Sequence, residues 1–122
     1  RVEDFGVGFF TKYGDGGVDI SPIGDCMKTE VWDMGRELCL LKEIIDAPPT
    51  DGLWADGRND EDQLGMTYPE LEQAMLQDTH AEIGQYATAA EAKLVKQYRK
   101  IRARNLHKME PIPVCKINQK IT

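Results

Sequence analysis

The chain has 122 residues and a formal net charge of -6, with 41% hydrophobic and 30% charged residues. This composition predicts one folded domain with a core rather than a disordered chain. No apolar run approaches the roughly 18 residues of a membrane span, which argues against a transmembrane protein. Three cysteines without a Cys-x-x-Cys pattern favour free thiols in a reducing cytoplasm over disulfides or a zinc site.

A glycine-rich turn near the start is the most informative segment. The apolar residues 7–10, which fit either a helix or a strand, lead to Lys12 and then to a turn flanked by Asp15 and Asp19. The turn contains Gly14, Gly16 and Gly17. Because amides and lysine bind phosphates whereas magnesium prefers carboxylate oxygens, the segment suits a polyanionic ligand held with a divalent cation. Taken alone, the motif also fits a solvated hairpin.

Apolar residues then recur at helical spacing, which predicts an amphipathic helix from about Lys28 to Leu41. They are Val31, Met34, Leu38 and Leu41. A short turn over residues 42–46 is expected to stop before Pro48 and Pro49, because a helix interior excludes proline. Residues 48–65 lack periodicity and predict a long acidic loop that is functional or mobile.

Two further helices are predicted in the second half of the chain. Thr67 and Glu70 have the spacing of a capping box, which predicts a helix that buries Leu71 and Met75. Another helix is predicted over residues 87–105, and the prolines after it favour an extended tail. Strands are scarce, with residues 17–20 and 114–117 as candidates.

The charge is unevenly distributed. Residues 93–108 hold seven of the 15 lysines and arginines and no carboxylate, so the rest of the chain carries 8 cations against 21 acids. Such a segment fits a nucleic-acid surface, a solvated helix face or a basic arm that reaches nucleotide phosphates. The net acidity argues against general nucleic-acid binding, whose affinity depends on many phosphate contacts.

In their order along the chain, several sequence blocks resemble the C-terminal half of ammonia-dependent NAD synthetase, an amidating ligase of the ATP-pyrophosphatase type. The blocks are the glycine-rich segment with Lys12, Pro22 followed by Lys28, Pro48-Pro49-Thr50-Asp51-Gly52-Leu53-Trp54, Asn59-Asp60-Glu61-Asp62-Gln63-Leu64-Gly65-Met66-Thr67-Tyr68 and His107-Lys108-Met109. The resemblance runs from about Glu3 to Met75 and resumes from Asn105 to Val114.

The resemblance implies an α/β fold. Residues 1–122 would be the mostly helical C-terminal part of a Rossmann-like adenine-nucleotide-binding domain, with the parent parallel sheet largely missing. The Ser-Gly-Gly-x-Asp-Ser loop that wraps pyrophosphate in this family does not occur in the chain. We therefore expect a fragment of the synthetase domain that is inactive by itself.

The activity implied by the resemblance is amidation of deamido-NAD with ammonia to NAD, through an adenylated intermediate, with release of AMP and pyrophosphate. The site residues carried over are Lys12, Asp19, His107 and Lys108 for deamido-NAD, and Lys28 and Thr50 for ATP. Glu3 is the expected Mg²⁺ ligand, although the spacing to Lys12 fits Asp4 better. Asp60 and Glu61 are further candidates to approach magnesium.

The resemblance also implies a cytoplasmic homodimer with small-molecule substrates and no membrane partner. Glutamine remains open as the nitrogen donor in place of ammonia. A rival in the same chemical class is another ATP-dependent amidating synthetase. The alternative from a different class is a non-catalytic nucleotide- or nucleic-acid-binding module that uses residues 93–108.

Overall fold

The computed structural model describes residues 1–80 and 88–117, and the regular structure in this part of the chain is helical. The elements are α1 (Val2–Val7), α2 (Lys28–Glu37), α3 (Lys42–Ile45), α4 (Asp60–Leu64), α5 (Tyr68–His80), α6 (Ala89–Asn105) and a 3-10 helix (Leu106–Lys108). The strands predicted over residues 17–20 and 114–117 are wrong, because neither segment has a partner strand among the described residues. None of these helices is long and apolar enough to cross a membrane.

The apolar run near the start ends a helix and does not form a strand. α1 closes at Gly8, whose φ of 70° lies in the left-handed region and whose amide donates to the Asp4 carbonyl. A Cβ on Gly8 would lie 2.5 Å from the Cβ of Asn105. Glycine therefore allows the chain to turn sharply where it touches the end of α6.

The core lies where α1, α5 and α6 pack together. Its buried apolar side chains are Val7, Leu64, Met66, Tyr68, Leu71, Ala74, Val95 and Tyr98. The capping box predicted for α5 is confirmed, since the Glu70 carboxylate accepts from the Thr67 amide at 2.8 Å. α6 begins after its cap Thr88, and residue 87 of the predicted helix lies outside the described residues.

α2 is shorter than predicted and its apolar face is largely uncovered. The helix ends at Glu37, and the chain then turns through Cys39, which has a φ of 53°. Met34 and Leu38 are 40% and 72% exposed. The predicted amphipathic pattern is therefore present, but the residues described here do not bury it.

The predicted acidic loop is interrupted by α4. Asn59 caps this helix by accepting from the Asp62 amide at 2.8 Å, and Asp62 accepts from the Asn59 amide at 3.1 Å. This reciprocal cap stabilises a helix too short to show periodicity in the sequence. Residues 46–59 form the irregular part of the segment.

Candidate functional site

Three of the residues carried over for deamido-NAD come together where the end of α6 meets the glycine-rich turn. The Lys12 ammonium donates to the His107 carbonyl at 2.7 Å and also bonds the Glu110 carbonyl. In the opposite direction, the Lys108 ammonium donates to the Gly8 carbonyl at 3.1 Å. We call Lys12, His107 and Lys108 the lysine cluster.

Side chains of α6 fix the position of this cluster by satisfying the last carbonyls of α1. Arg102 Nη1 donates to the carbonyls of Phe5 and Gly6 at 2.9 and 2.8 Å. Asn105 Nδ2 donates to the Val7 carbonyl at 2.9 Å. Because a helix C-terminus carries partial negative charge, the cationic Arg102 is favourably placed there. No local sequence pattern revealed Arg102 or Asn105 as positioning residues.

A cleft of about 200 Å³ adjoins the lysine cluster. It is lined by Phe9, Phe10, Thr11, Asp15, Asp51, Leu53 and Lys108. Asp15 is used inside the turn, since its carboxylate accepts from the Thr11 amide at 2.6 Å. Asp19 is exposed. Among the described residues, no hydrogen bond or ion pair joins Asp19 to the lysine cluster. The structure thus brings Lys12, His107 and Lys108 together without Asp19.

Lys28 lies in a second group, against aromatic rings. Its ammonium is 5.4 Å from the centre of the Trp32 ring and 5.8 Å from that of Tyr68. Burial lowers the pKa of Lys28 and the nearby Arg1 lowers it further, whereas the carboxylates of Asp60, Asp4 and Glu3 oppose this fall. Lys28 forms no ion pair with any residue that the structure describes. A half-buried ammonium of this kind is available to an anion.

Tyr68 organises this second group, although it closes the acidic block of the resemblance without a predicted role. Its hydroxyl donates to Asp60 Oδ2 at 2.9 Å, and its amide donates to Glu61 Oε1 at 2.9 Å. Tyr68 and Asp60 are 1% and 7% exposed. Burial raises the pKa of Tyr68, which keeps the hydroxyl as a donor. The signal available in the sequence was its place at the end of the acidic block.

Glu3 is buried at the N-terminus of α2. It is 1% exposed, and one carboxylate oxygen accepts from the Lys28 amide. The Glu72 carboxylate accepts from the amide and hydroxyl of Thr29 at 3.0 and 2.7 Å. Burial raises the pKa of Glu3, the Lys28 amide opposes this rise, and the neighbouring Glu72 adds to it. Two carboxylates therefore satisfy the positive end of the helix.

The carboxylates of the second group differ in how far they are already bonded. Glu3 Oε2 and Asp60 Oδ1 are buried and accept no hydrogen bond from the described residues. Asp4, in contrast, is bonded by Arg1 at 3.0 Å. No group of three histidine, cysteine or acidic side chains able to hold a metal occurs in residues 1–80 and 88–117. The orphaned oxygens fit Mg²⁺, which needs one or two carboxylates when phosphates complete its shell.

Thr50 has a local role in this structure. Its hydroxyl accepts from the Gly52 amide at 3.1 Å and lies 3.4 Å from the Arg58 carbonyl. No hydrogen bond within the described part of the chain joins Thr50 to Lys28. The loop is tied to α4 by a 2.9 Å bond from the Asp60 amide to the carbonyl of Pro49. A cleft of about 440 Å³ separates this loop from α2. It is lined by Trp32, Arg36, Ile45, Asp46, Ala47, Pro48, Pro49, Asn59 and Glu61.

Comparison with known proteins gives one family over most of the chain. Residues 2–112 match the family model described as NAD synthase. An NH(3)-dependent NAD(+) synthetase of Methanosarcina mazei is 37% identical over 111 residues, which cover 88% of this chain and 43% of the relative.

Other relatives match a shorter stretch more closely. An NH(3)-dependent NAD(+) synthetase of Methanococcoides burtonii is 51% identical over 69 residues, 57% of this chain and 26% of the relative. One from Carboxydothermus hydrogenoformans is 49% identical over 70 residues, 57% of this chain and 28% of the relative. The chain thus spans less than half the length of the curated relatives it matches.

Proposed function

Because the chain belongs to the NAD synthase family, we propose that it is part of an ATP-dependent ligase that amidates deamido-NAD with ammonia. The observation that most supports this is the lysine cluster. Lys12 and His107 lie 95 positions apart, yet Lys12 bonds the His107 carbonyl. Two segments that the resemblance assigns to one substrate therefore lie side by side.

The chemistry requires positive charge and orientation more than acids or bases. A carboxylate is a poor electrophile, so ATP first adenylates the nicotinate carboxylate and ammonia then displaces AMP. Lys12 and Lys108 would bind negative charge of deamido-NAD beside the neighbouring cleft. Lys28 would bind an ATP phosphate, and its partly buried position strengthens that attraction. Holding both substrates in position supplies much of the remaining rate enhancement.

We assign the magnesium position to Glu3, through its buried and unpaired Oε2, with Asp60 as the second candidate. The bond from Arg1 makes Asp4 a weaker candidate. A bound Mg²⁺ would neutralise phosphate oxygens. Burial of Glu3 favours its protonated form, so the cation would compete with a proton for this carboxylate.

The remaining assignments rest on the family resemblance. Asp19 would accept hydrogen bonds from ribose hydroxyls or orient the pyridine end of deamido-NAD. Thr50 would reach ATP when its loop closes. The whole enzyme would be a homodimer in the cytoplasm, and residues 1–122 would complete a Rossmann-like adenine-nucleotide-binding domain.

The test is an amidation assay on the full-length protein that contains this chain. Deamido-NAD, ATP, magnesium and ammonia should give equal amounts of NAD and AMP, and omission of deamido-NAD should abolish AMP release. The 122-residue chain alone should release no AMP, because it contains no pyrophosphate loop of the family type. AMP release that does not depend on deamido-NAD would contradict the proposal. Glutamine in place of ammonia identifies the nitrogen donor.

A further inference from the structure

Three consecutive amides at the start of α2 each donate to a glutamate carboxylate. The bonds run from Met27 to Glu30, from Lys28 to Glu3 and from Thr29 to Glu72. A helix N-terminus with free amides is able to bind phosphate through them. Because carboxylates already occupy these three amides, a phosphate at this end of α2 would have to be bound by the Lys28 ammonium instead.

Glu72 bonds α2 through both of its carboxylate oxygens. Oε1 accepts from the Thr29 amide at 3.0 Å, and Oε2 accepts from the Thr29 hydroxyl at 2.7 Å. Glu72 is only 7% exposed. Burial of a carboxylate is unfavourable unless hydrogen bonds compensate for the lost water, and an apolar side chain of similar size would avoid that desolvation. A buried charge at this position therefore points to a role in holding Thr29.

The helix that carries Glu72 is much more firmly anchored than the helix it holds. Leu71 and Ala74, which lie near Glu72 in α5, are fully buried in the core. In α2, which the structure describes throughout, Gly35 is the buried residue, and the half-buried Trp32 packs against the core. The two bonds from Thr29 to Glu72 therefore tie α2 to α5. They lie inside the described fold and do not depend on what covers the outer face of α2.

The position of Lys28 depends on α5 in two ways. Its backbone directly precedes Thr29, which Glu72 holds. Its ammonium lies 5.8 Å from the centre of the Tyr68 ring. Tyr68 and Glu72 are both in α5, at positions i and i+4, so they lie on one face of that helix. One helix face thus fixes Lys28 at its backbone and at its charged end.

We propose that Glu72 is a positioning residue for ATP. By holding Thr29 it fixes the turn from which the Lys28 ammonium reaches a phosphate, while both of its own oxygens remain bonded to Thr29. Small displacements of a binding group lower its contribution steeply, so loss of this link should weaken ATP binding. The inference rests on the proposed binding of ATP by Lys28 and adds the residue that sets where Lys28 stands.

Two replacements of Thr29 test the link in the full-length protein that contains this chain. Thr29→Val removes the hydroxyl donor with little change of shape, and Thr29→Ser retains that donor. Calorimetric titration with ATP at saturating magnesium gives the Kd without any turnover. Thr29→Val should raise the Kd for ATP at least about fivefold, because it removes a bond to a charged group. Thr29→Ser should bind ATP to within about twofold of wild type.

Glu72→Met tests the other end of the same link. It should raise the Kd for ATP at least about fivefold, and Thr29→Val/Glu72→Met should bind ATP no more than about twofold more weakly than Glu72→Met, because the link is already lost. The matched control is Thr88→Val, which removes the hydroxyl that accepts from the Glu91 amide at the start of α6. Thr88→Val should lower stability without changing the Kd for ATP. In the amidation assay, Thr29→Val should leave the KM for deamido-NAD within about twofold of wild type.

Four results would overturn the inference. One is a Thr29→Val variant that binds ATP as tightly as wild type. The second is a Thr29→Ser variant that binds ATP as weakly as Thr29→Val, and the third is an equal weakening by Thr88→Val. The fourth is a wild-type protein that does not bind ATP, which would overturn the proposed function as well. A wild-type protein that binds ATP but does not amidate deamido-NAD would overturn only the proposed function, because the Kd values would still report on Glu72.

Discussion

Among single residues, Tyr68 connects charged groups through two different parts of its side chain. Its ring lies 5.8 Å from the Lys28 ammonium and 5.3 Å from the Arg1 guanidinium. Its hydroxyl is 2.9 Å from Asp60. The ring and the hydroxyl can therefore be tested separately.

Replacing Tyr68 by phenylalanine keeps the ring and removes the donor to Asp60. Because Asp60 is buried, the loss leaves both its oxygens unsatisfied, and we expect the free energy of unfolding to fall by about 1–3 kcal/mol. Urea denaturation measures this change. Tyr13→Phe is the control, since Tyr13 is 66% exposed and should change stability by less than about 0.5 kcal/mol. Equal effects of the two changes would show that the Tyr68 hydroxyl contributes nothing.

The proposed division of substrate contacts predicts different kinetic profiles. In the full-length protein, Lys12→Ala and Asp19→Ala should each raise the KM for deamido-NAD by about tenfold to a hundredfold, because a charge-assisted contact contributes about 1.5–3 kcal/mol. Lys28→Ala should instead raise the KM for ATP. The exposed Asp25 supplies a control, as Asp25→Ala should change neither constant. One common profile for Lys12, Asp19 and Lys28 would disprove the division.

At the level of helices, the end of α1 depends on a glycine in two ways. Gly8 and Gly52 have nearly the same φ, 70° and 68°. A Cβ on Gly8 would meet Asn105, whereas a Cβ on Gly52 would meet nothing within 4 Å. Gly52→Ala should lower the free energy of unfolding by about 1–2 kcal/mol, the strain of a left-handed alanine. Gly8→Ala should lower it by about 1–3 kcal/mol more, because its Cβ also overpacks against Asn105. Thermal or urea unfolding of the two variants measures the difference. Equal stability of the two variants would show that Asn105 can move away from a Cβ at Gly8 with little loss of free energy.

The capping box of α5 predicts a pH dependence. The amide of Thr67, followed by its hydroxyl, lowers the pKa of Glu70. A carboxylate whose folded pKa is depressed stabilises the fold above its unfolded pKa and loses this contribution as the pH falls through the folded pKa. Below about pH 5, the unfolding free energy of wild type should therefore fall more steeply than that of Glu70→Gln. Glu43→Gln, at an exposed position of α3, should follow the wild-type curve. If the unfolding free energies of wild type and Glu70→Gln fall in parallel with pH, the capping box does not contribute to stability.

At the scale of the whole molecule, the sequence predicted helices that have local signals, but it did not predict which helices pack together. Periodicity located α2 and α6, and the Thr67–Glu70 spacing located the start of α5. The five-residue α4 was missed because its cap resembles any acidic loop. The apolar residues 7–10 fit both a helix and a strand. Their conformation therefore depends on tertiary packing against α6, which local sequence does not show.

The candidate site divides in the same way. The resemblance supplied Lys12, His107 and Lys108, and the structure joins their segments. Tyr68 could not be found as an organising residue, because a bond between a hydroxyl and a buried carboxylate leaves no periodic trace. The expected mobility of residues 48–65 stays a prediction, although residues 60–64 are helical.

Much apolar surface of the described residues is exposed. On α2, α3 and the turn between them this surface includes Met34, Leu38, Leu40, Leu41 and Ile44. We expect the 122-residue chain by itself to bind the dye ANS more strongly than the full-length protein does, because exposed apolar patches attract apolar ligands. Leu41→Glu/Ile44→Glu, at positions 68% and 62% exposed, should reduce dye binding without lowering the unfolding free energy. Dye binding equal to that of the full-length protein would mean that the full-length protein does not cover this surface.

The reciprocal bonds of the lysine cluster have a consequence for how it would admit an anion. Lys12 and Lys108 are each held by neutral carbonyls, Lys12 by those of His107 and Glu110 and Lys108 by that of Gly8. His107 and Glu110 are exposed, so water can replace the ammonium of Lys12 at their carbonyls with little loss. When an anion binds, Lys12 would gain a fully charged partner in place of the carbonyl dipoles. The Lys12 ammonium can therefore leave the carbonyls of His107 and Glu110 to bind an anion without any opening of the core.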